Sequence, residues 1–228
     1  MDVVYVVGEH TDELRYSLRS LKHVVHDRVW VVSKTLPEWV RNVGHIPVGD
    51  RWYRVRNVVE KLYAAASHPE VSETFQYWND DFFALQPTTI PVRHGGLVAP
   101  KKPGGLIPAT FTGRDAHKWT HWLLRTHWNI DPVYRYELTH TPMVMDKHLL
   151  VDAVDQARAV KLTGPAIRSL YGNLNRIGGQ EGVNVKVGKT NDPLKEKVWV
   201  STNVNSWNGK AGKIIRNLLS EPSPYERS

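Results

Sequence analysis

The stretch FQYWNDDFF, residues 75–83, decides how the chain is read. Phe75, Tyr77 and Trp78, with Gln76 between them, have the aromatic-rich composition of a strand. Asn79, Asp80 and Asp81 end that strand, and Phe82 and Phe83 follow at once. Adjacent carboxylates in an apolar setting repel one another and lose hydration, a cost that a bound cation offsets. An Asx turn in which Asp80 caps the next segment accounts for the same residues structurally. In open α/β sheets ligands bind at the carboxyl ends of strands, which is where these acids stand.

Upstream, residues 3–7 (VVYVV) form an apolar β-branched run suited to a buried parallel strand. Thr11 is placed to cap a helix with Asp12 and Glu13 in its first turn and Leu14, Leu18, Leu21 and Val25 on one stripe. Residues 28–33 predict a second strand, TLPEWV a turn into a short helix, residues 43–48 a short strand, and residues 55–67 a helix. Strand, helix, strand in this order favours a parallel sheet with right-handed crossovers.

Downstream, residues 87–114 are rich in Pro and Gly and read as loops, short strands and a flap. Residues 115–128 predict a helix carrying three Trp and three His, and residues 146–159 an amphipathic helix. VNVKVG and VWVST predict strands, and residues 209–219 a basic helix. The tail SEPSPYERS is expected to fray or to wrap the surface.

Composition sets the outer limits. With 228 residues and a 41% hydrophobic fraction, the chain can bury one substantial core. No apolar run is long enough for a membrane span, and the start MDVVYVV reads as a first strand rather than a signal peptide. The absence of cysteine excludes disulfides and thiolate metal sites and fits a reducing, cytoplasmic setting. A formal charge of +7 suggests anionic partners. The cations are spread rather than blocked, so a solvated basic surface explains them equally well.

Several of these blocks stand in a telling order. Asp80-Asp81 is similar to the acid-rich metal loop of nucleotide-sugar transferases with an open α/β fold. MDVVYVV, DELRYSLRSL, RVWVVSKTLPEWV, NVVEKLY and FQYWNDDFF follow one another, and the series resembles the first two blocks of the Stealth family. That family comprises bacterial capsule sugar-phosphate transferases and the catalytic subunits of the lysosomal-enzyme N-acetylglucosamine-1-phosphotransferase. LTHTPMVMDK, residues 138–147, looks like the third block, with its His-x-Pro-Met core, and residues 198–226 look like the fourth. Two departures stand out. Gly8-Glu9-His10 replaces a Trp and Asp after the first strand, and Val204 follows Asn203 where the family carries Asp. The missing contact would then be lost or moved to Asn205. The chain is also short for the family, which suits a pared-down core from a phage or a compact bacterial locus.

The resemblance implies an α/β fold with an open, mostly parallel sheet flanked by helices, like GT-A nucleotide-sugar transferases. It also implies a single catalytic domain over 1–228. Within it, 1–86 would be the nucleotide-sugar and metal half, 87–135 variable loops and a flap, and 136–228 the acceptor and catalytic half. The implied reaction moves a sugar 1-phosphate from a nucleotide sugar, a UDP-sugar by analogy, to a hydroxyl of a carbohydrate or protein acceptor.

Roles follow residue by residue. Asp80 and Asp81 would hold Mg²⁺ or Mn²⁺, hard cations that take carboxylates together with substrate phosphates. Asn79 would orient the sugar or a bound water, or only shape the turn. His140 matches the His-x-Pro element and would take the acceptor proton. Arg168, 28 residues beyond His140, would stabilise charge on the transferring phosphate. Asn57 and Glu60 match an N-x-x-E helix that contacts the donor, although Glu60 has Arg56 and Lys61 beside it as ion-pair partners. Arg15 and Arg19 match the ELRYSLRS helix; one would reach the diphosphate or lock the sheet edge. Asn203 is a further donor or metal contact.

Three alternatives stay open. A true glycosyltransferase would use the same donor and cation but release a nucleoside diphosphate. A basic nucleic-acid-binding module would use the charge and aromatics, although no helix-turn-helix or RNP-like pattern is present, so nucleic acid is not the expected partner. His117 and His121 share the i, i+4 spacing of a zinc site, but no HExxH surrounds them and no third ligand is evident in the sequence.

Overall fold

Asp2–Val6 (β1) and Thr74–Asn79 (β4) lie side by side and parallel, with Val6 opposite Asn79, so the two strands end together at one rim. This computed structural model describes residues 1–8, 12–51, 53–108, 112–188 and 194–227. The expected cap at Thr11 and the Glu9-His10 departure lie outside them. From β1 the chain passes through α1 (Asp12–Ser20) to β2 (Val29–Ser33) and β3 (Gly44–Pro47), then returns through α2 (Arg54–Ser67) to β4 on the other side of β1. The sheet order is β3-β2-β1-β4, all parallel, and the direction of build-up reverses between β1 and β4. At such a reversal the two loops leaving the strand ends part and leave a crevice.

Beyond β4 come β5 (Phe82–Ala84), the short β6 (Arg93–His94) and β7 (Leu97–Val98), α3 (Gly113–Thr126) and β8 (Val133–Tyr134). A fifth, antiparallel strand, β9 (Met143–Asp146), closes the sheet against β4. Then follow α4 (Lys147–Ala159), α5 (Ile167–Leu174), β10 (Gln180–Glu181), β11 (Trp199–Ser201), α6 (Val204–Trp207) and α7 (Lys210–Leu218). The result is a mixed α/β architecture with a mostly parallel central sheet flanked by helices. No described helix is long and apolar enough to cross a membrane.

Alternation along the strands sorts the core onto two faces. Val4, Val6, Trp30, Val32, Phe75 and Tyr77 face α2, α3, α4 and α5. Val3, Tyr5, Val7, Val29, Val31 and Trp78 face Leu14 and Leu18 of α1, with Phe82 and Trp199 of the antiparallel β5–β11 pair. Both faces are therefore covered, which is why the strands read as continuous apolar runs. Each fully buried Val, Leu or Phe contributes about 1.5–3 kcal/mol.

Three local expectations are corrected. The first helix stops at Ser20, and a 3₁₀ turn over Leu21–His23 leads into extended backbone at Val24, so Val25 is 89% exposed rather than on the apolar stripe. TLPEWV forms a turn and no helix, since Val40 pairs in a bridge with Glu226 instead. VNVKVG is not a regular strand. Val185 N–H bonds to Thr139 O (3.2 Å) while Val187 N–H bonds to Ser201 O (2.8 Å), so its hydrogen bonds are split between two neighbours.

The tail wraps rather than frays. Glu226 is buried and receives both arms of the Arg19 fork, Nε to Oε1 and Nη2 to Oε2, each at 2.8 Å. Tyr225 meets His26 at 2.7 Å.

Candidate active site

Asp81 leaves the end of β4 and its side chain turns toward β11. Ser201 Oγ donates to Asp81 Oδ2 at 3.1 Å, and Lys186 Nζ stands 3.4 Å from the same oxygen. The Asp81 carbonyl accepts from Thr202 N–H at 3.1 Å, fixing the turn to the β11 end. The other carboxylate oxygen, Oδ1, is buried with no hydrogen-bond partner. A buried, unmatched anionic oxygen is costly, and it leaves Asp81 with coordinating capacity unused. Beside it, Asn79 Oδ1 accepts from the Tyr77 hydroxyl at 2.7 Å.

Arg168 reaches the same place from α5. Its guanidinium lies 4.8 Å from the Tyr77 ring centroid and 4.9 Å from that of Phe82, the aromatics on either side of the acids. It is 5% exposed and forms no ion pair among the described residues. A buried guanidinium held by two ring faces is positioned but not neutralised, a state that suits a transient anion. Gly172 lets α5 pack this closely: a Cβ there would come within 2.6 Å of the Tyr136 ring, one residue before the turn that presents His140.

His140 ends the 3₁₀ turn Glu137–Thr139 in a left-handed conformation, φ 52° and ψ 37°. A non-glycine residue there costs about 1 kcal/mol, a strain that tends to gather at functional sites. Its Nδ1 faces two acceptors, Leu138 O at 3.1 Å and Asn184 Oδ1 at 2.9 Å. The Asn184 oxygen is itself identified by accepting Lys186 N–H at 2.8 Å. Nδ1 therefore carries the proton, and Nε2 keeps the lone pair that a general base needs. Burial, and next the Lys186 cation, hold the imidazole below its ordinary pKa, with Arg168 adding to and Asp81 opposing the effect. His140 is thus neutral at neutral pH and feels the charges of Lys186, Arg168 and Asp81 together.

Other expected residues divide between two places. Asn57 donates to Asp50 Oδ1 at 3.1 Å, and the buried Lys61 bonds both that oxygen (2.5 Å) and Val7 O (2.6 Å) at the end of β1. This second polar group stands at the same rim as Asp81, across the β1–β4 reversal. The Lys61 hydrogen bond holds the Asp50 carboxyl below its usual range. Glu60 lines one cavity with Asp50 and pairs with Arg56 at 3.4 Å and Arg158 at 3.5 Å, not with Lys61.

Two further expected residues have structural partners. Arg15 lies over the Trp39 ring at 4.6 Å and stands 3.6 Å from Glu226, on the locking side of the two roles expected for it, and its buried Nε makes no hydrogen bond. Asn203 is the N-cap of α6, its Oδ1 accepting Ser206 N–H at 3.1 Å within a capping box, which is a structural duty. Val204, which follows Asn203, is 69% exposed.

Sequence reasoning missed Lys186, Asn184, Ser201, Asp50 and Lys61. The alternation V-N-V-K-V did carry a signal for the first two. With Val185 and Val187 buried, Asn184 and Lys186 share the opposite side and meet His140 and Asp81 there.

No protein-family model matches the chain, and no curated protein matches its sequence. Among solved structures it is similar to the galactosyltransferase LgtC in complex with donor and acceptor sugar analogues, at 10% identity and a TM-score of 0.48, covering 100% of this chain and 98% of that one. A 4-diphosphocytidyl-2C-methyl-D-erythritol synthase from Anaerococcus prevotii is similar at 12% identity and a TM-score of 0.41, over 80% of this chain and 88% of that one. Likeness at this level carries no information about substrate or chemistry.

Proposed function

We propose that the protein is a nucleotide-sugar-dependent transferase that moves a sugar 1-phosphate to a hydroxyl acceptor. The observation that carries this reading is the meeting of Asp81, His140, Arg168 and Lys186 at the rim where β1 and β4 part, with one Asp81 oxygen left open. The likeness to the Stealth blocks supports the same residues in the same roles.

The donor set fits a divalent cation. Asp81 Oδ1 has no other partner, Lys186 and Ser201 occupy only Oδ2, and hard carboxylate oxygens suit Mg²⁺ or Mn²⁺. Asp80 and Asp81 would hold it, and when bound it would neutralise charge on the diphosphate of the donor.

The chain's own residues account for the rest. The acceptor hydroxyl gives its proton to His140 Nε2 as its oxygen attacks the sugar-bearing phosphorus. A new P–O bond forms, the P–O bond to the nucleotide breaks, and a nucleoside monophosphate leaves. Arg168 and Lys186 place two fixed cations where charge builds on the transferring phosphoryl oxygens. Asn79, Asn57 and the Asp50–Lys61 pair line the part of the rim suited to the donor's sugar and nucleoside. A carbohydrate or protein hydroxyl is the acceptor class.

Incubation with a panel of nucleotide sugars, Mn²⁺ and a hydroxyl acceptor, with nucleotide products separated, tests this. Nucleoside monophosphate release, lost in Asp81→Asn, is expected. Release of diphosphate would instead identify transfer of the sugar itself. Absence of any metal-dependent thermal shift with every donor in the panel would refute the nucleotide-sugar reading.

A further inference from the structure

His117 and His121 lack a third partner in the sequence, but the fold supplies one. Glu137, the first residue of the 3₁₀ turn that ends in His140, faces them from across the α3–α5 packing. One ligand atom from each of His117, His121 and Glu137 lies within 4.8 Å of the others. His117 Nδ1 is 4.0 Å from Glu137 Oε2, and the two imidazole centroids are 5.8 Å apart.

The carboxylate is held for the purpose. Ser169 N–H donates to Glu137 Oε1 at 2.9 Å, and the Ser169 hydroxyl donates to Oε2. Such outer partners fix the direction of a metal-ligating carboxylate. His121 is 5% exposed and contacts the same hydroxyl at 3.3 Å. His117 is 35% exposed, which leaves the cluster open to solvent on one side.

We propose that His117, His121 and Glu137 form a Zn²⁺ site with an open fourth position, bracing α3 against the turn that carries His140. Two imidazoles and one carboxylate are a zinc-type donor set, unlike the all-oxygen set at Asp80 and Asp81. Ligands of a tetrahedral zinc ion stand about 3.3 Å apart, given Zn–N bonds of about 2.0–2.1 Å. The cluster therefore closes by about an ångström or so when loaded, through the partly exposed His117 ring. The bracing has a direct route: Glu137 is three residues from His140, and Ser169 follows Arg168. That consequence rests on the reading of His140 and Arg168 given above, whereas the zinc site stands without it.

Titration of the metal-stripped full chain with Zn²⁺ against a chromophoric chelator is the test, followed by thermal melting and by Co²⁺ loading. One equivalent of Zn²⁺ should bind and raise the melting temperature. His117→Ala should weaken that binding at least about 10-fold and remove the melting shift. Co²⁺ should give the intense visible bands of a four-coordinate site in the unaltered protein and not in His117→Ala. Glu137→Gln also loosens the hold on Ser169, so the partly exposed His117 position decides the matter. Asp81→Asn should leave Zn²⁺ binding unchanged, which separates this site from the rim. Substoichiometric binding, equal affinity in His117→Ala, or loss of Zn²⁺ binding in Asp81→Asn would each overturn the proposal, with the sugar-transfer reading left standing.

Discussion

Two groups of charged residues have opposite fates in this fold. At the tail, Arg19 meets Glu226 through two hydrogen bonds of 2.8 Å, with Leu219 O and Ser220 O accepting from its remaining arm. The donors of that fork and both carboxylate oxygens are used, with Ser223 completing the set on Oε1. At the rim, Asp81 Oδ1 has no partner and the buried Arg168 meets ring faces instead of an acid. The Arg19–Glu226 pair, with its charges matched, contributes to folding. An open cluster costs stability in the free protein, and on the proposed function that cost is recovered when donor and cation bind.

The sharpest way to break this contrast is to remove groups from the open cluster. His140→Ala is expected to lower turnover by about 10²–10⁴-fold, the usual range for a positioned general base. Arg168→Lys keeps the charge but loses the fork, and about 10²–10³-fold is expected. Both should melt close to the unaltered protein. A melting temperature that falls in step with activity would make them structural residues.

The closed cluster should respond the other way. Glu226→Gln leaves the partly buried Arg19 without its anion and is expected to cost about 3 kcal/mol in chemical denaturation, with turnover retained. The contribution carries a pH signature. Hydrogen bonds from Arg19 and Ser223 outweigh desolvation and hold the Glu226 carboxyl below its usual value. Its stabilisation is therefore complete above the unfolded carboxyl range and is lost as pH falls through the lowered folded value. Asn203→Ala should cost about 1 kcal/mol as a lost N-cap and leave turnover intact. A turnover loss rivalling that of His140→Ala would restore Asn203 to the donor site.

The smallest effect expected is a displacement of the pH profile. His140 must be neutral to accept a proton, and its pKa is held below the ordinary 6.5, so activity should fall only on the acid side of that value. Stability runs in the same sense. The neutral buried ring is favoured in the folded state, so its contribution is full above the unfolded pKa and erodes as pH drops below it. Lys186→Met removes a lowering charge and should move the acid limb of the rate profile upward. An unmoved limb would place Lys186 outside the field of the base.

Much of the frame was legible in order along the chain. Apolar β-branched runs and the 3.6-residue stripe of α1 announce β1, α1 and β2, because each element's pattern is local. Asp81, His140 and Arg168 were legible as residues because they sit in distinctive local contexts. Their convergence was not, since it depends on β9 and β11 returning to pair with β4 and β5. The partner of Arg15 and Arg19 was hidden for the same reason: Glu226 lies at the far end of the chain, and Arg19 to Glu226 spans 207 positions.

Sequence alone determined that two acids would stand at the end of an aromatic strand, and that this strand would belong to a largely parallel sheet. Tertiary structure alone decided which oxygen of Asp81 stays open, which nitrogen of His140 keeps its lone pair, and that Glu137 completes a trio with His117 and His121. The division has a physical cause. Strand and helix patterns follow from the spacing of neighbours, whereas the state of a buried polar group depends on whichever distant partner the packed chain brings within about 3 Å.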